Sequence, residues 1–376
     1  MTTAQATRVH FEVSNADLMP ALRRLSGIVD HAQVIQILSF VKCELRNDCL
    51  LVLASNSEIE MHVRLPVSTV EQQQKTFTLP CKKLLDICRT LPGSATLSIE
   101  QNGNWTTIKV GKTQFKLAAL DAQGFPQLDE FSAEAEFSLS ETEFLWLLRR
   151  TAFAMAQQDV RFYLNGMLLV LAPQRIETAA TDGHRLACNS VHYPEDLPER
   201  KCIIPKKTIQ ELCKHLQDRD SIIRIRLGQQ HIAFLGESLE LYSNLIEGEY
   251  PDYHKLLPSA FNYTATLPLS TLQDSLQRLI TLANEKYYGA SLDFADSSLT
   301  LRANNINHEE AHDELVIDYE GKAITIGLNI SYVQELLQVI STELVTIGIV
   351  DSEKSISFNE VGSNNQSRFI VMPLTL

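Results

Sequence analysis

What the chain lacks narrows its class before any motif is read. No apolar run approaches the ~20 residues that a membrane span needs, and the opening residues carry no apolar segment of the kind that marks a secretory leader. Seven cysteines form no Cys-x-x-Cys pair. Their odd number argues against a disulfide framework, so reduced thiols in a soluble, cytoplasmic protein are expected. Positive charge is not in excess: 33 Lys and Arg face 46 Asp and Glu, a net charge of −13. That balance disfavours a uniformly basic nucleic-acid binder, but not a protein whose cations gather on one face. Nucleotide and hydrolase signatures are also missing. Gly111-Lys112-Thr113 would close a phosphate loop, yet Thr106 stands where the first Gly is required, and no G-x-S-x-G elbow occurs. No catalytic residue, metal ligand or cofactor is expected, and the chain is not read as an enzyme. At 376 residues and 44% hydrophobic content it exceeds what one core usually holds, so two or three domains are expected.

What is present centres on Thr181-Asp182-Gly183-His184-Arg185-Leu186, between runs of small, apolar and β-branched residues at 175–180 and 187–191. Asp-Gly between such runs reads as a tight hairpin turn with Gly183 free to take positive φ. His184, Arg185 and Leu186 then put an aromatic ring, a fork of donors and an apolar side chain at one corner. A plain hairpin tip with a stacked Arg and a corner built to grip a peptide both fit.

The chain repeats itself. Ser14-x-x-Asp17, Ser140-x-x-Glu143 and Ser270-x-x-Gln273 each follow an alternating run and precede a helical pattern, the arrangement of a capping box. Apolar stripes follow at helical spacing: Leu18, Leu22, Leu25 and Val29; Phe144, Leu148 and Met155; Leu272, Leu276, Leu279 and Ala283. A second helix recurs from Pro80 and from Pro205, 125 residues on, and a further shift of 124 lays Val333, Leu336 and Leu337 on Ile209, Leu212 and Cys213. Cys88 and Cys213 thus match Leu337 and read as core fillers. Between the helices the sequence alternates at period two, as at 50–54, 61–65, 96–100, 222–227, 299–303 and 324–328. The reading is an α+β class: three copies of one domain, two helices packed on antiparallel sheet, at 1–130, 131–257 and 258–376. Units of this size suit an arc or ring of whole domains.

Charge is uneven over the copies. Lys and Arg number 13, 14 and 6, and Asp and Glu 13, 18 and 15. Cations nevertheless cluster on the repeated helices: Arg23-Arg24, Lys82-Lys83, Arg149-Arg150 and Lys206-Lys207. A solvated helix face explains these pairs, and so does a basic bore that holds duplex DNA by its phosphates without reading bases. The ends differ as well. Lys109, Lys112 and Lys116 line one strand-like run, and Glu309, Glu310, Asp313 and Glu314 precede another at 315–319, a complementarity that suits head-to-tail association.

His308-Glu309-Glu310-Ala311-His312 matches HExxH, which binds zinc only on a helix that turns both His to one face. Asn304-Asn305 before it, a strand pattern after it and no clear third ligand make a zinc hydrolase the weaker alternative. A non-catalytic scaffold of three adhesive domains is the other.

Several longer stretches resemble a known family: Gln158-Asp159-Val160-Arg161-Phe162-Tyr163-Leu164-Asn165-Gly166-Met167, Ala180-Thr181-Asp182-Gly183-His184-Arg185-Leu186-Ala187, Glu247-Gly248-Glu249-Tyr250-Pro251-Asp252-Tyr253, Asn284-Glu285-Lys286 and Phe369-Ile370-Val371-Met372-Pro373-Leu374. In order and across the whole chain, they are similar to the bacterial sliding clamps, the β subunits of DNA polymerase III. The resemblance implies a processivity factor: a head-to-tail homodimer forming a closed ring around duplex DNA. It further implies a pocket for linear motifs of the polymerase catalytic subunit, the clamp loader, repair polymerases and mismatch-repair proteins. By the resemblance, that pocket draws on Leu164, Thr181, Gly183, His184, Arg185 and Leu186, then on Pro251, Lys255, Leu256, Asn329 and Tyr332. Ile370, Val371, Met372, Pro373 and Leu374 complete it. Lys82, Gln158, Phe162, Tyr163 and Lys206 look like DNA contacts, joined by Arg23 and Arg24. The seam would pair Phe115 and Leu117, near Lys109 and Lys112, with the 315–319 edge beside Glu309 and Glu310, while Thr281 and Leu282 pack against the former. This chain departs from the family's pattern at residues 1–8, which precede the usual start, and at Val29-Asp30-His31-Ala32-Gln33, where an Arg toward DNA is common. Lys255 stands where Arg is common and Leu374-Thr375 where Met-Arg is, which implies an altered motif preference.

Overall fold

The computed structural model describes residues 9–29, 35–46, 48–69, 75–237, 239–284, 286–362 and 366–375. The extension at 1–8, positions 30–33 of the loop expected near DNA, and Glu285 lie outside them. Six α-helices occur among the described residues: α1 (Asn15–Leu25), α2 (Cys81–Thr90), α3 (Glu141–Ala152), α4 (Lys206–His215), α5 (Leu269–Leu279) and α6 (Ile330–Leu337). Among the described residues the strands form four sheets, and the pairings within them are antiparallel. The alternating runs fall where period two places them: 222–227 is the strand Ile222–Leu227, and 324–328 lies in Ile324–Asn329.

The threefold repeat is visible in hydrogen bonds. The first N–H of α1, α3 and α5, on Asn15, Glu141 and Leu269, donates to the carbonyl of Ala95, Ser221 and Glu343 at 2.8, 2.8 and 2.9 Å. Those three acceptors each stand just before the strand that follows the copy's second helix. Ser14 caps α1 as expected, its hydroxyl accepting from Ala16 N at 3.0 Å. Ser270 does not cap α5. That helix begins at Leu269 behind Pro268, which has no side-chain acceptor, so the backbone bond to Glu343 is what satisfies its start.

The chain divides into two compact units that do not follow the repeats: residues 1–141 with 214–245, and residues 142–213 with 246–376. In the first unit, an eight-stranded sheet joins the first two copies, because Glu240–Asn244 pairs with Ile59–Pro66 (Glu240 opposite His62, Ser243 opposite Ile59). A five-stranded sheet ends on Thr113–Ala118. Its core carries the apolar stripe of α1, with Leu18, Leu22 and Leu25 buried, and Cys88 of α2 fully buried beside it. Burial pushes the Cys88 thiol up to about 11, the behaviour of a core filler.

In the second unit, the long strands Gly166–Thr181 and Arg185–Pro205 form a hairpin whose second strand also pairs with Ser367–Val371, placing Leu186 opposite Ile370. Seven strands make up this sheet. A separate four-stranded sheet runs Glu310–Val316, Ser298–Asn304, Gly289–Ala295, Ile324–Asn329. The acidic residues Glu310, Asp313 and Glu314 therefore lie within the edge strand rather than before it. The expected strand at 315–319 is broken: Leu315 is buried, Val316 is 85% exposed, and Asp318–Tyr319 pairs instead with Tyr263–Pro268. Arg150 is corrected too. It is buried and holds Glu360, bonds Val339 O at 3.1 Å, and stacks on Trp146, whereas Arg149 is exposed. Adjacent helix residues are turned by about 100°, so a pair of neighbouring cations cannot share a face.

Candidate peptide pocket and basic face

The hairpin tip is built by its own polar side chains. Strand ends at Thr181 and Arg185 leave three residues in the turn, one more than an Asp-Gly hairpin needs. Asp182 fills the difference: its Oδ1 accepts from His184 N at 2.9 Å and Arg185 N at 3.0 Å, and its Oδ2 from Arg185 Nε at 3.0 Å. Thr181 Oγ1 donates to Arg185 O at 2.6 Å and accepts from Gly183 N at 3.1 Å. Gly183 takes φ +89°, and a Cβ there would stand 3.1 Å from the far end of the Arg161 side chain, so it is the backbone that calls for glycine.

Arg185 is buried, and its Nε and Nη1 are already used. Nη1 reaches Glu335 at 3.0 Å, and the guanidinium lies 4.4 Å from the Tyr332 ring and 5.4 Å from that of Phe153. It fastens the tip to α6. His184 remains exposed and stacks on Tyr332 at 6.3 Å. Asn329 caps α6, accepting from Ser331 N at 2.9 Å and Tyr332 N at 3.3 Å. Met372 N donates to His184 O at 2.7 Å and Leu374 N to Gly327 O at 2.8 Å, so the chain end runs past the tip. Val371 is buried opposite Arg185, and Met372, Pro373 and Leu374 are half-buried.

Beside the tip lies an apolar cluster of Leu168, Ala179, Leu186, Cys188, Ile203, Tyr253 and Ile370, with Tyr163, Tyr250 and Leu257 packed against it. Leu164 is buried, while Pro251, Lys255 and Leu256 are exposed. Lys255 pairs with Asp252 at 3.2 Å. The turn Tyr253–Leu256 that carries Lys255 and Leu256 is tied down by Tyr253, whose hydroxyl donates to buried Glu177. Burial raises the Glu177 pKa although Arg175 opposes it. The fold therefore brings the residues expected to line the pocket together at one corner of the second unit.

Three contributors were not read from the sequence. Tyr250 accepts the Thr181 N–H at 2.9 Å, Tyr253 anchors the turn, and Arg161, gripped by Asp159, donates to Asp182 O at 3.3 Å. All three stand inside the stretches that carried the family resemblance; the Asp-x-Arg spacing of 159 and 161 was the available signal. Arg161 holds the Asp159 carboxyl at about 2.

The cations expected to meet DNA are spread along the chain. Arg23 and Lys82 are exposed on α1 and α2, and Arg24 is partly covered. Gln158 has φ +55°, Phe162 is 57% exposed, and Tyr163 is half-buried. Lys206 donates to Met155 O and Ala156 O, both at 3.2 Å, and burial lowers its pKa. For the seam, Lys109 and Lys112 are exposed, while Phe115 and Leu117 are half-covered on their edge strand. Thr281, Leu282 and Glu309 line a cavity of about 930 Å³ in the second unit. HExxH is not helical: His308 sits in a turn at φ +63°, and His312 lies in the edge strand opposite Arg302. The two rings do not share a helix face, which removes the zinc-hydrolase geometry.

Comparison with known proteins agrees along the full length. Family models for the N-terminal, central and C-terminal domains of the DNA polymerase III beta subunit match residues 9–129, 138–252 and 254–375. The beta sliding clamp of Pseudomonas putida is 35% identical over 369 residues, covering 98% of this chain and all of the relative. That of Escherichia coli K12 is 33% identical over 367 residues, covering 97% and all of the relative. A crystal structure of the Pseudomonas aeruginosa sliding clamp bound to griselimycin superposes with a TM-score of 0.93 at 34% identity, covering 98% of this chain and all of that one. Three repeated domains, a non-helical HExxH and these likenesses converge: the chain belongs to the DNA polymerase III β-subunit family, the sliding clamps, which are processivity factors of the polymerase and not themselves enzymes.

Proposed function

We propose that two copies of this chain, each of three domains divided near 130 and 258, join head to tail into a cytoplasmic ring around duplex DNA. One observation carries the reading. The last strand of each copy is Thr113–Ala118, Glu240–Asn244 or Ser367–Val371; the latter two pair with Ile59–Pro66 and Arg185–Pro205, whereas Thr113–Ala118 ends its sheet. Glu310–Val316 ends another sheet, in the third copy's place for Ile59–Pro66. Each edge is thus the missing partner of the other, and unpaired edges seek partners. Lys109 and Lys112 beside one, and Glu309 and Glu310 at the start of the other, favour that pairing over like with like.

In the ring, Lys82, Arg23, Arg24 and Lys206 would meet phosphates, with Gln158, Phe162 and Tyr163 alongside, giving sequence-independent contact that permits sliding. The pocket would take linear motifs of the replicative polymerase, the clamp loader, repair polymerases and mismatch-repair proteins. Partner Leu or Phe side chains would be buried at roughly 1.5–3 kcal/mol each, with Arg185 holding the tip in shape. Light scattering on the full chain tests the seam. A mass of twice 42.3 kDa is expected, falling to the single-chain value in Leu117→Asp; a wild-type monomer at micromolar concentration would contradict it.

A further inference from the structure

The sheet face that forms the apolar cluster does not end there. Strand register lays Thr181, Leu186, Ile370 and Ser357 in one row, and Ala179, Cys188 and Arg368 in the next. Residues two apart on a strand share a face. Within the width of two strands this face turns from apolar to hydroxyl-bearing and cationic. Leu257 straddles the change: it packs on the cluster and also lines a cavity of about 590 Å³ with Ile370, Ser357, Asn359, Glu360 and Arg368.

The charge of that cavity is one-sided in effect. Glu360 is its single carboxylate among the described lining residues, and its charge is matched by Arg150, which holds Oε1 together with Ser341 N at 2.8 Å and Ser341 Oγ at 3.0 Å. Arg368 is its single cation. It is exposed and makes no ion pair among the described residues. Glu177, whose carboxyl feels the Arg368 charge, is buried and taken by Arg175 and the Tyr253 hydroxyl. Lys201 adds further positive potential around it. In a third copy with 6 basic and 15 acidic residues, a solvent-facing Arg next to an apolar groove marks a place for an incoming anion.

We propose that this cavity receives an acidic side chain of the bound partner peptide, an Asp or Glu flanking the apolar anchor, and that Arg368 selects it. The proposal rests on the peptide-pocket reading above. Two labelled decapeptides would be titrated into the full-length protein by fluorescence anisotropy, each with a Leu-Phe anchor and with either Asp pairs or Asn pairs on both flanks. The acidic peptide should bind about fivefold tighter at low salt, as expected of an exposed charge pair, and the ratio should shrink as salt rises. Arg368→Gln should bring the ratio to about one, and Arg368→Glu should favour a Lys-flanked peptide instead. Equal affinity of both peptides for the unaltered protein, or a ratio that survives Arg368→Gln, would overturn the proposal. Failure of every peptide to bind would overturn the pocket reading itself, and this proposal with it.

Discussion

His62 is held between two carboxylates, Glu60 Oε1 at 2.5 Å from Nε2 and Glu240 Oε1 at 3.5 Å from Nδ1, where strand Ile59–Pro66 meets Glu240–Asn244. Burial alone would lower its pKa, but Glu240 and Glu60 outweigh burial and hold it above the ordinary 6.5. In return, His62 holds Glu240 at about 2, below its ordinary 4.5. The two contributions have opposite signs in pH. That of His62 is whole below about 6.5 and is lost as pH rises through its raised folded value; that of Glu240 is whole above about 4.5 and is lost as pH falls toward 2. Melting temperature followed upward from pH 6.5 should therefore fall more steeply in the unaltered protein than in His62→Gln; parallel curves would dismiss the contribution of His62 titration. Arg150 and Glu360 make a second, deeper pair, with side chains 5% and 6% exposed. Glu360→Ala leaves a buried guanidinium without its counter-charge and should cost about 3–5 kcal/mol, whereas replacing both by apolar residues should cost far less. Chemical denaturation of the single and double variants separates the two cases.

Among the elements, the hairpin Gly166–Thr181 and Arg185–Pro205 depends on two glycines for different reasons. At Gly166 a Cβ would stand 2.5 Å from the Ile204 carbonyl oxygen, which is backbone and cannot swing away. At Gly183 it would meet the far end of Arg161, which can. Gly166→Ala should therefore destabilise more than Gly183→Ala, whose cost is the positive φ, roughly 1–2 kcal/mol; denaturant midpoints that rank them the other way would refute this. At this scale most of the fold was legible, because period-two alternation and helical stripes are local signals. The failures were tertiary. Ser270 resembled a cap, but the helix start is satisfied from Glu343, 74 residues away in sequence. Arg150 resembled its surface neighbour until Glu360, distant in sequence, was seen to hold it inside. The 315–319 run alternates correctly yet serves two sheets, so alternation could not say where one strand ends. The pocket was legible largely through the family resemblance: Leu186 and Ile370 meet only when the strands pair.

At the scale of the whole molecule, the acidic net charge and the basic helices are reconciled only by arrangement. A closed ring would hold DNA by enclosure, so its grip would depend on the integrity of the circle it surrounds rather than on base sequence or strong contacts. The measurement that tests this most directly is retention on a nicked circular plasmid after loading by a clamp loader, followed by a cut at one site. Retention on the circle with release on linearisation is the predicted result. Equal release from both forms, or equal retention on both, would contradict enclosure and with it the head-to-tail ring.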